Sequence, residues 1–109
     1  MSQYQASSDL QLIPELMRLA PAEAKAFVAF DHAAKRADGR IPPKLREMIS
    51  LAVALTTQCA YCIEVHSRAA KQLGVSREEL AEVATIAAAV RAGASLGHGL
   101  LALRLFDSA

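Results

Sequence analysis

Cysteine is scarce, with two residues in 109, and the net charge is close to nil at +1. Two thiols cannot build the disulfide framework of a small secreted domain, so their Cys-x-x-Cys spacing reads as redox or metal chemistry in a reducing compartment. The near balance of 12 basic and 11 acidic residues leaves no electrostatic footprint for nucleic acid or an acidic membrane surface. Long hydrophobic runs are missing too. The longest charge-free stretch, Met48 to Ile63, contains Ser50, Thr56, Thr57 and Gln58 and is shorter than the ~20 apolar residues of a spanning helix. Met1-Ser2-Gln3-Tyr4-Gln5 has no basic region leading into an apolar core, so no secretory signal is expected. The expectation is a cytoplasmic protein with neither nucleic-acid nor membrane partners. There is no internal repeat, low-complexity segment or linker, and no segment alternates with the period of two that strands require.

What the chain has is apolar surface and helical punctuation. Apolar residues make up 53% of it, high for a small soluble monomer, and a surplus of that kind predicts a homo-oligomer. Residues 1–8 are polar and are expected to be flexible, with a single all-α domain over 9–109. A short helix is predicted from Asp9 to Leu19, broken or kinked by Pro14, and a second from Pro21 towards Ala37. Asp38-Gly39-Arg40 stops it, and Pro42-Pro43 opens a third helix to about Thr57. From Met48 onward that helix is apolar almost all round, which predicts burial on most sides. A fourth helix runs from near Gln58 to Leu73 with Gly74 as its cap. Ser76-Arg77-Glu78-Glu79 is a capping box launching a stripe of Leu80, Val83, Ala87 and Val90. Gly93 is expected to break that helix before a last one, Ala94 to Phe106, carrying Leu96, Leu100 and Leu103. The prediction is a compact bundle of five to six helices.

The chemistry is concentrated in Cys59-Ala60-Tyr61-Cys62-Ile63-Glu64-Val65-His66. Residues three and four apart share a helix face, so Cys59, Cys62 and His66 line one stripe, which continues through Ala69, Ala70 and Leu73. That makes it the inward face, with the thiols in a sheltered pocket. Burial raises a thiol pKa, so the pair needs a base, and His66 is within reach of Cys62. A carboxylate behind the imidazole would orient it and hold its charge. Glu47, the last charge before the uncharged run, is the candidate; it could equally solvate the helix start or pair with Arg46 or Lys44.

Zinc is the competing use of Cys59, Cys62 and His66, with His98 or His32 as fourth ligand. Structural zinc sites draw paired ligands from two knuckles and only one is present, so no metal is expected. His98 sits between Gly97 and Gly99, a setting for close helix packing or an auxiliary place near substrate. His32, Phe27 and Phe30 read as surface, core or interface residues. Arg36, Arg40, Lys44 and Arg46 flank a turn, where they are solvated or attract an anionic partner.

The pattern Glu47, eleven residues, Cys59-x-x-Cys62, three residues, His66 resembles the alkylhydroperoxidase D-like (AhpD-like) branch of the carboxymuconolactone decarboxylase superfamily. Pro43-Lys44-Leu45-Arg46, Ser67-Arg68-Ala69-Ala70, Leu73-Gly74-Val75, Glu78-Glu79-Leu80 and Arg91-Ala92-Gly93-Ala94 are similar too, so the likeness covers about residues 20–105. It implies an AhpD-like helical fold and a thiol peroxidase or disulfide oxidoreductase. In it, Cys62 is activated through Glu47 and His66, and Cys59 is the partner thiol nearer the entrance. Tyr61 stands where some members carry a second histidine; a phenol with pKa near ~10 donates a hydrogen bond but is no base at pH 7. The resemblance further implies a hydroperoxide or disulfide substrate, no bound cofactor and an external dithiol donor such as dihydrolipoamide. A lipoyl-protein or peroxiredoxin partner and assembly into trimers or hexamers also follow from it. Non-redox readings are a muconolactone-type decarboxylase, which works without the cysteine pair, and a metal-binding or scaffold oligomer.

Overall fold

The computed structural model describes residues 4–109, and among these every regular element is helical. A 3-10 turn, Ser7–Leu12, leads into α1 (Ile13–Leu19), α2 (Pro21–Ala34), α3 (Pro43–Thr57), α4 (Ala60–Gln72) and α5 (Arg77–Ser108). Prolines mark three of the starts, Pro14, Pro21 and Pro43 lying in the first turn where no amide hydrogen is needed. The predicted break near Pro14 therefore falls just before it, as a change from 3-10 to α geometry at Ile13. Of the eight polar residues at the start, 1–3 lie outside the described residues and Ser7 already belongs to the turn.

Between α2 and α3 the chain is held by Arg46, which donates from Nη1 to the Ala34 carbonyl (2.6 Å) and from Nε to that of Ile41 (2.8 Å). These bonds occupy the α2 end, so α2 stops at Ala34 rather than Ala37. Gly39 is where the guanidinium passes the loop; a Cβ there would collide with it. Arg46 is thus a structural clasp, and Lys44 pairs with Glu79 across to α5 at 3.1 Å. Neither is the partner of Glu47.

Helix α3 is the centre, packed by α4 on one flank and α5 on another, while α2 packs only on α1. Leu51 and Ala54 are buried on α3, Ala70 on α4, and Val83 and Ala87 on α5. The expectation that α3 is buried on most sides is not met within one chain: Ile49 and Val53 are 51% and 55% exposed. Two neighbours cover two flanks of a helix and leave the third open. Phe27 and Phe30 likewise stand out from α2, so they are not part of the chain's core.

Gly74, at φ 87°, turns the chain out of α4, a conformation only glycine adopts without strain. Ser76 Oγ then accepts the Glu79 amide (3.0 Å) and Glu79 Oε1 accepts that of Ser76 (2.9 Å), the capping box expected for α5. The helix it starts is not broken at Gly93 but runs 32 residues to Ser108. A helical glycine costs only ~1 kcal/mol, and no proline follows in a stretch rich in alanine and leucine, so the helix continues through it. By length and composition α5 is long and apolar enough to cross a membrane, a property that the single charge of Arg91 hides from a search for charge-free runs. The radius of gyration is 18.0 Å, against ~13 Å for a compact domain of this length.

Candidate active site

The turn joining α3 to α4 is two residues long and puts the cysteines where the two helices meet. Gln58 takes the left-handed conformation (φ 58°, ψ 40°), and the Cys59 amide bonds back to the Ala54 carbonyl at 3.2 Å. The reversal lays α4 against α3, so Glu47, upstream of the turn, faces His66, downstream of it. Cys59 is the N-cap of α4, its Sγ accepting the Cys62 amide at 3.2 Å. A sulfur at a helix N-terminus feels the positive end of the helix dipole, which favours thiolate over thiol.

Cys59 and Cys62 are joined as a disulfide, with Cα atoms 5.3 Å apart. Both are half-buried, as is His66, while Ala70 further along the stripe is buried and Leu73 at its end is exposed. The inward face therefore holds at its middle, and the sulfurs lie at the rim of the helix pair rather than deep inside it. Glu47 Oε2 meets His66 Nδ1 at 2.7 Å, with side-chain exposures of 12% and 14%. An ionised Glu47 accepts the Nδ1 hydrogen, which leaves Nε2 as the nitrogen able to exchange a proton with a thiol on the same face.

Tyr61 faces away from this relay, on the neighbouring stripe of α4. Its hydroxyl donates to Asp9 Oδ2 at 2.6 Å, and one helical turn on, Glu64 Oε2 accepts from Ser7 Oγ at 2.7 Å. Two side-chain bonds thus latch the N-terminal turn to the start of the cysteine helix. The Tyr61 hydroxyl is held above its ordinary pKa, chiefly because its hydrogen bonds the Asp9 carboxylate, with burial and the negative charge adding. Asp9 is held below its ordinary value by the same phenol and by the Ala6 amide, against a smaller opposing effect of burial. Nothing in the polar run at the N-terminus singles out Asp9; its partner is 52 residues away.

His98 lies elsewhere. It is exposed on α5, in an open groove of ~860 Å³ between α3 and α5 that Val53, Thr56, Ile86 and Val90 also line. Glu47, Cys59, Cys62 and His66 do not line that groove. Arg91 crosses its rim to bond the Thr56 carbonyl. Among the described residues no three histidine, cysteine or acidic side chains are grouped as a metal cage.

The carboxymuconolactone decarboxylase family matches residues 21–105. A Legionella pneumophila member of that family, known from a crystal structure, superposes with TM-score 0.72 at 30% identity, covering 94% of this chain and 91% of that one. An uncharacterised protein of the Paracoccus denitrificans cox locus is 39% identical over 71 residues, which is 65% of this chain and 64% of that protein's length. An uncharacterised Cupriavidus necator protein is 33% identical over 92 residues, 83% and 81% of the two chains. A match over most of the length, on an all-α AhpD-like fold, places this chain in the carboxymuconolactone decarboxylase family.

Proposed function

We propose that the protein is a thiol-dependent oxidoreductase that reduces a hydroperoxide or a partner's disulfide through the Cys59–Cys62 pair. The observation that carries this reading is the 2.7 Å bond between Glu47 and His66, on the α4 face that also holds both cysteines. In the reduced pair, His66 takes the Cys62 proton and Glu47 stabilises the imidazolium. The Cys62 thiolate attacks the terminal oxygen of a hydroperoxide, the O–O bond breaks, and the alkoxide takes a proton to leave as an alcohol. Cys59 then displaces water from the sulfenic acid to give the disulfide. A partner disulfide would instead be attacked at sulfur, with Cys59 resolving the mixed disulfide.

The second half-reaction returns two electrons from an external dithiol of the dihydrolipoamide type, free or on a lipoyl-protein, whereas a peroxiredoxin partner would supply the disulfide reduced in the first. One donor thiolate attacks Cys59 and releases the Cys62 thiolate, and the second donor thiol then displaces Cys59 from the mixed disulfide, which leaves the donor as its own disulfide. Neither half-reaction needs a bound cofactor. A carboxymuconolactone decarboxylation would leave the paired sulfurs unused.

The test is a titration of the reduced protein with hydroperoxide, with free thiols counted by mass spectrometry. Two thiols should be lost together, Cys62→Ser should abolish the loss, His66→Ala should slow it, and dihydrolipoamide should restore both. Thiols that stay reduced in excess hydroperoxide and in the presence of a disulfide would overturn the reading.

A further inference from the structure

Where α4 ends and α5 begins, an open groove of ~580 Å³ runs between the two helices. Ala70, Val75, Leu80 and Ala84 give it an apolar lining, and Lys71 and Arg77 stand at its rim. Among the described residues no acidic side chain lines it, and neither cation forms an ion pair, whereas Arg18, Lys35, Arg36, Lys44 and Arg68 all do. The sequence gives a reason. One turn before Lys71 come Ser67 and Arg68, and one turn after Arg77 come Leu80 and Ala81, none of them an acid. Lys71 lies in the last turn of α4, where the helix dipole favours a cation. Arg77 opens the first turn of α5, where the dipole disfavours one, and no carboxylate in the groove offsets that cost.

We infer that this groove docks an acidic protein, the partner that exchanges thiols with Cys59. Its carboxylates meet Lys71 and Arg77, and an aliphatic side chain beside them enters the apolar lining. The inference rests on the thiol exchange proposed above. Reach supports it. Ala70 lies eleven residues from Cys59 on the same α4 face, about 16 Å along the helix. A standard interface takes ~800 Å² from each partner, a patch about 32 Å across. A protein that brings its dithiol to Cys59 therefore covers the groove as well. A hydroperoxide is too small to touch both, so the groove acts on protein partners and not on small substrates. Charge points the same way. Both cations are exposed, and a small anion bound to them would stay hydrated and gain little. A protein surface that also seals the apolar lining excludes that water, and its carboxylates supply the charge missing from the groove.

Three short synthetic dithiol peptides test this on the full-length oxidised protein, their flanks made of aspartate and leucine, lysine and leucine, or aspartate and serine. Fluorescence anisotropy of serine-for-cysteine versions gives the dissociation constants. Mass spectrometry of the thiols that appear on Cys59 and Cys62 gives the rates of reduction. At low ionic strength the aspartate–leucine peptide should bind about tenfold more tightly than the lysine–leucine one, and reduce the pair correspondingly faster. Lys71→Glu combined with Arg77→Glu should reverse that order with helix content unchanged by circular dichroism. Should that protein not fold, Lys71→Gln with Arg77→Gln should erase the preference. Peptides that bind alike, a preference that survives in these variants, or tighter binding without faster reduction would overturn the inference. So would an aspartate–serine peptide that matches the aspartate–leucine one, which would assign the cations to small anions. A disulfide that no peptide reduces, with the aspartate–leucine peptide still bound, would instead refute the thiol exchange at Cys59 and leave an acidic docking site.

Discussion

Glu47 Oε2 and His66 Nδ1 are 2.7 Å apart although 19 residues separate them in sequence. The bond spans the α3–α4 turn and is shielded from bulk water, so it positions the ring as well as holding charge. Glu47→Gln keeps the shape and an acceptor oxygen but removes the charge that stabilises the imidazolium. Thiol oxidation by hydroperoxide should slow about 10²-fold at pH 7. The deficit should shrink as pH rises through the ordinary thiol range near ~8.5, where hydroxide replaces the base. Stopped-flow oxidation rates between pH 6 and 9 check this; parallel profiles for the two proteins would remove Glu47 from the relay.

The latch from Tyr61 to Asp9 has a pH signature of its own. Asp9 is held below its ordinary carboxylate pKa, so its contribution is complete above the unfolded value of ~3.9 and is lost as pH falls through the lower, folded one. Tyr61 is held above its ordinary value, so its part persists below the unfolded ~10 and is lost as pH rises beyond that. Amide protection in the Ser7–Leu12 turn, measured relative to the intrinsic exchange rate at each pH, should therefore be greatest between these limits and should fall at the acid end. Asp9→Asn and Tyr61→Phe should each quicken exchange of this turn at pH 7. Unchanged protection in both variants would show that the turn is held by other contacts.

Much of the fold was legible because its signals are local. Proline at a first turn, the Ser76–Glu79 box and Gly74 past a helix end are each stated within four residues of sequence. The Cys59–Cys62–His66 stripe was legible for the same reason, since it is one face of one helix, whereas the residues alone left Glu47 open between His66 and the helix start, and only the family resemblance joined it to the other three. Gly93 misled because a helix-breaking residue weakens a helix by less than the surrounding alanines and leucines sustain it. Exposure of Ile49, Val53 and Phe27 could not be read from their own sequence neighbourhoods. An apolar side chain looks the same whether the surface that covers it belongs to its own chain or to another. Asp9 was invisible because its partner, Tyr61, lies at a distance that no helical period reports.

Two positions with positive φ should respond to substitution in opposite directions. Gln58 holds the left-handed conformation with a side chain, and Gly74 holds its own without one. Gln58→Gly relieves backbone strain and should stabilise the fold by up to about 1 kcal/mol. Gly74→Ala meets no neighbouring atom, so its cost is conformational alone, about 1–2 kcal/mol. Urea unfolding at one fixed protein concentration measures both. Gln58→Gly also loosens the turn that places Cys59, so its hydroperoxide rate should drop even as its midpoint rises.

Leu51 and Val53 are two residues apart on α3 and point to different surroundings, 1% and 55% exposed. Leu51 is buried on α3, the helix packed by both α4 and α5, and Leu51→Ala removes buried apolar volume there, costing about 3 kcal/mol. That loss should appear at any protein concentration, because the core it damages lies within one chain. Val53 borders the open groove towards α5, so at low protein concentration Val53→Ala should cost no more than about 0.5 kcal/mol. Unfolding followed by circular dichroism over a hundredfold range of concentration separates the two. If the Val53→Ala penalty grows with concentration while that of Leu51→Ala stays constant, the groove is covered by a second copy. A flat, small Val53→Ala penalty would mean that no second copy covers the groove.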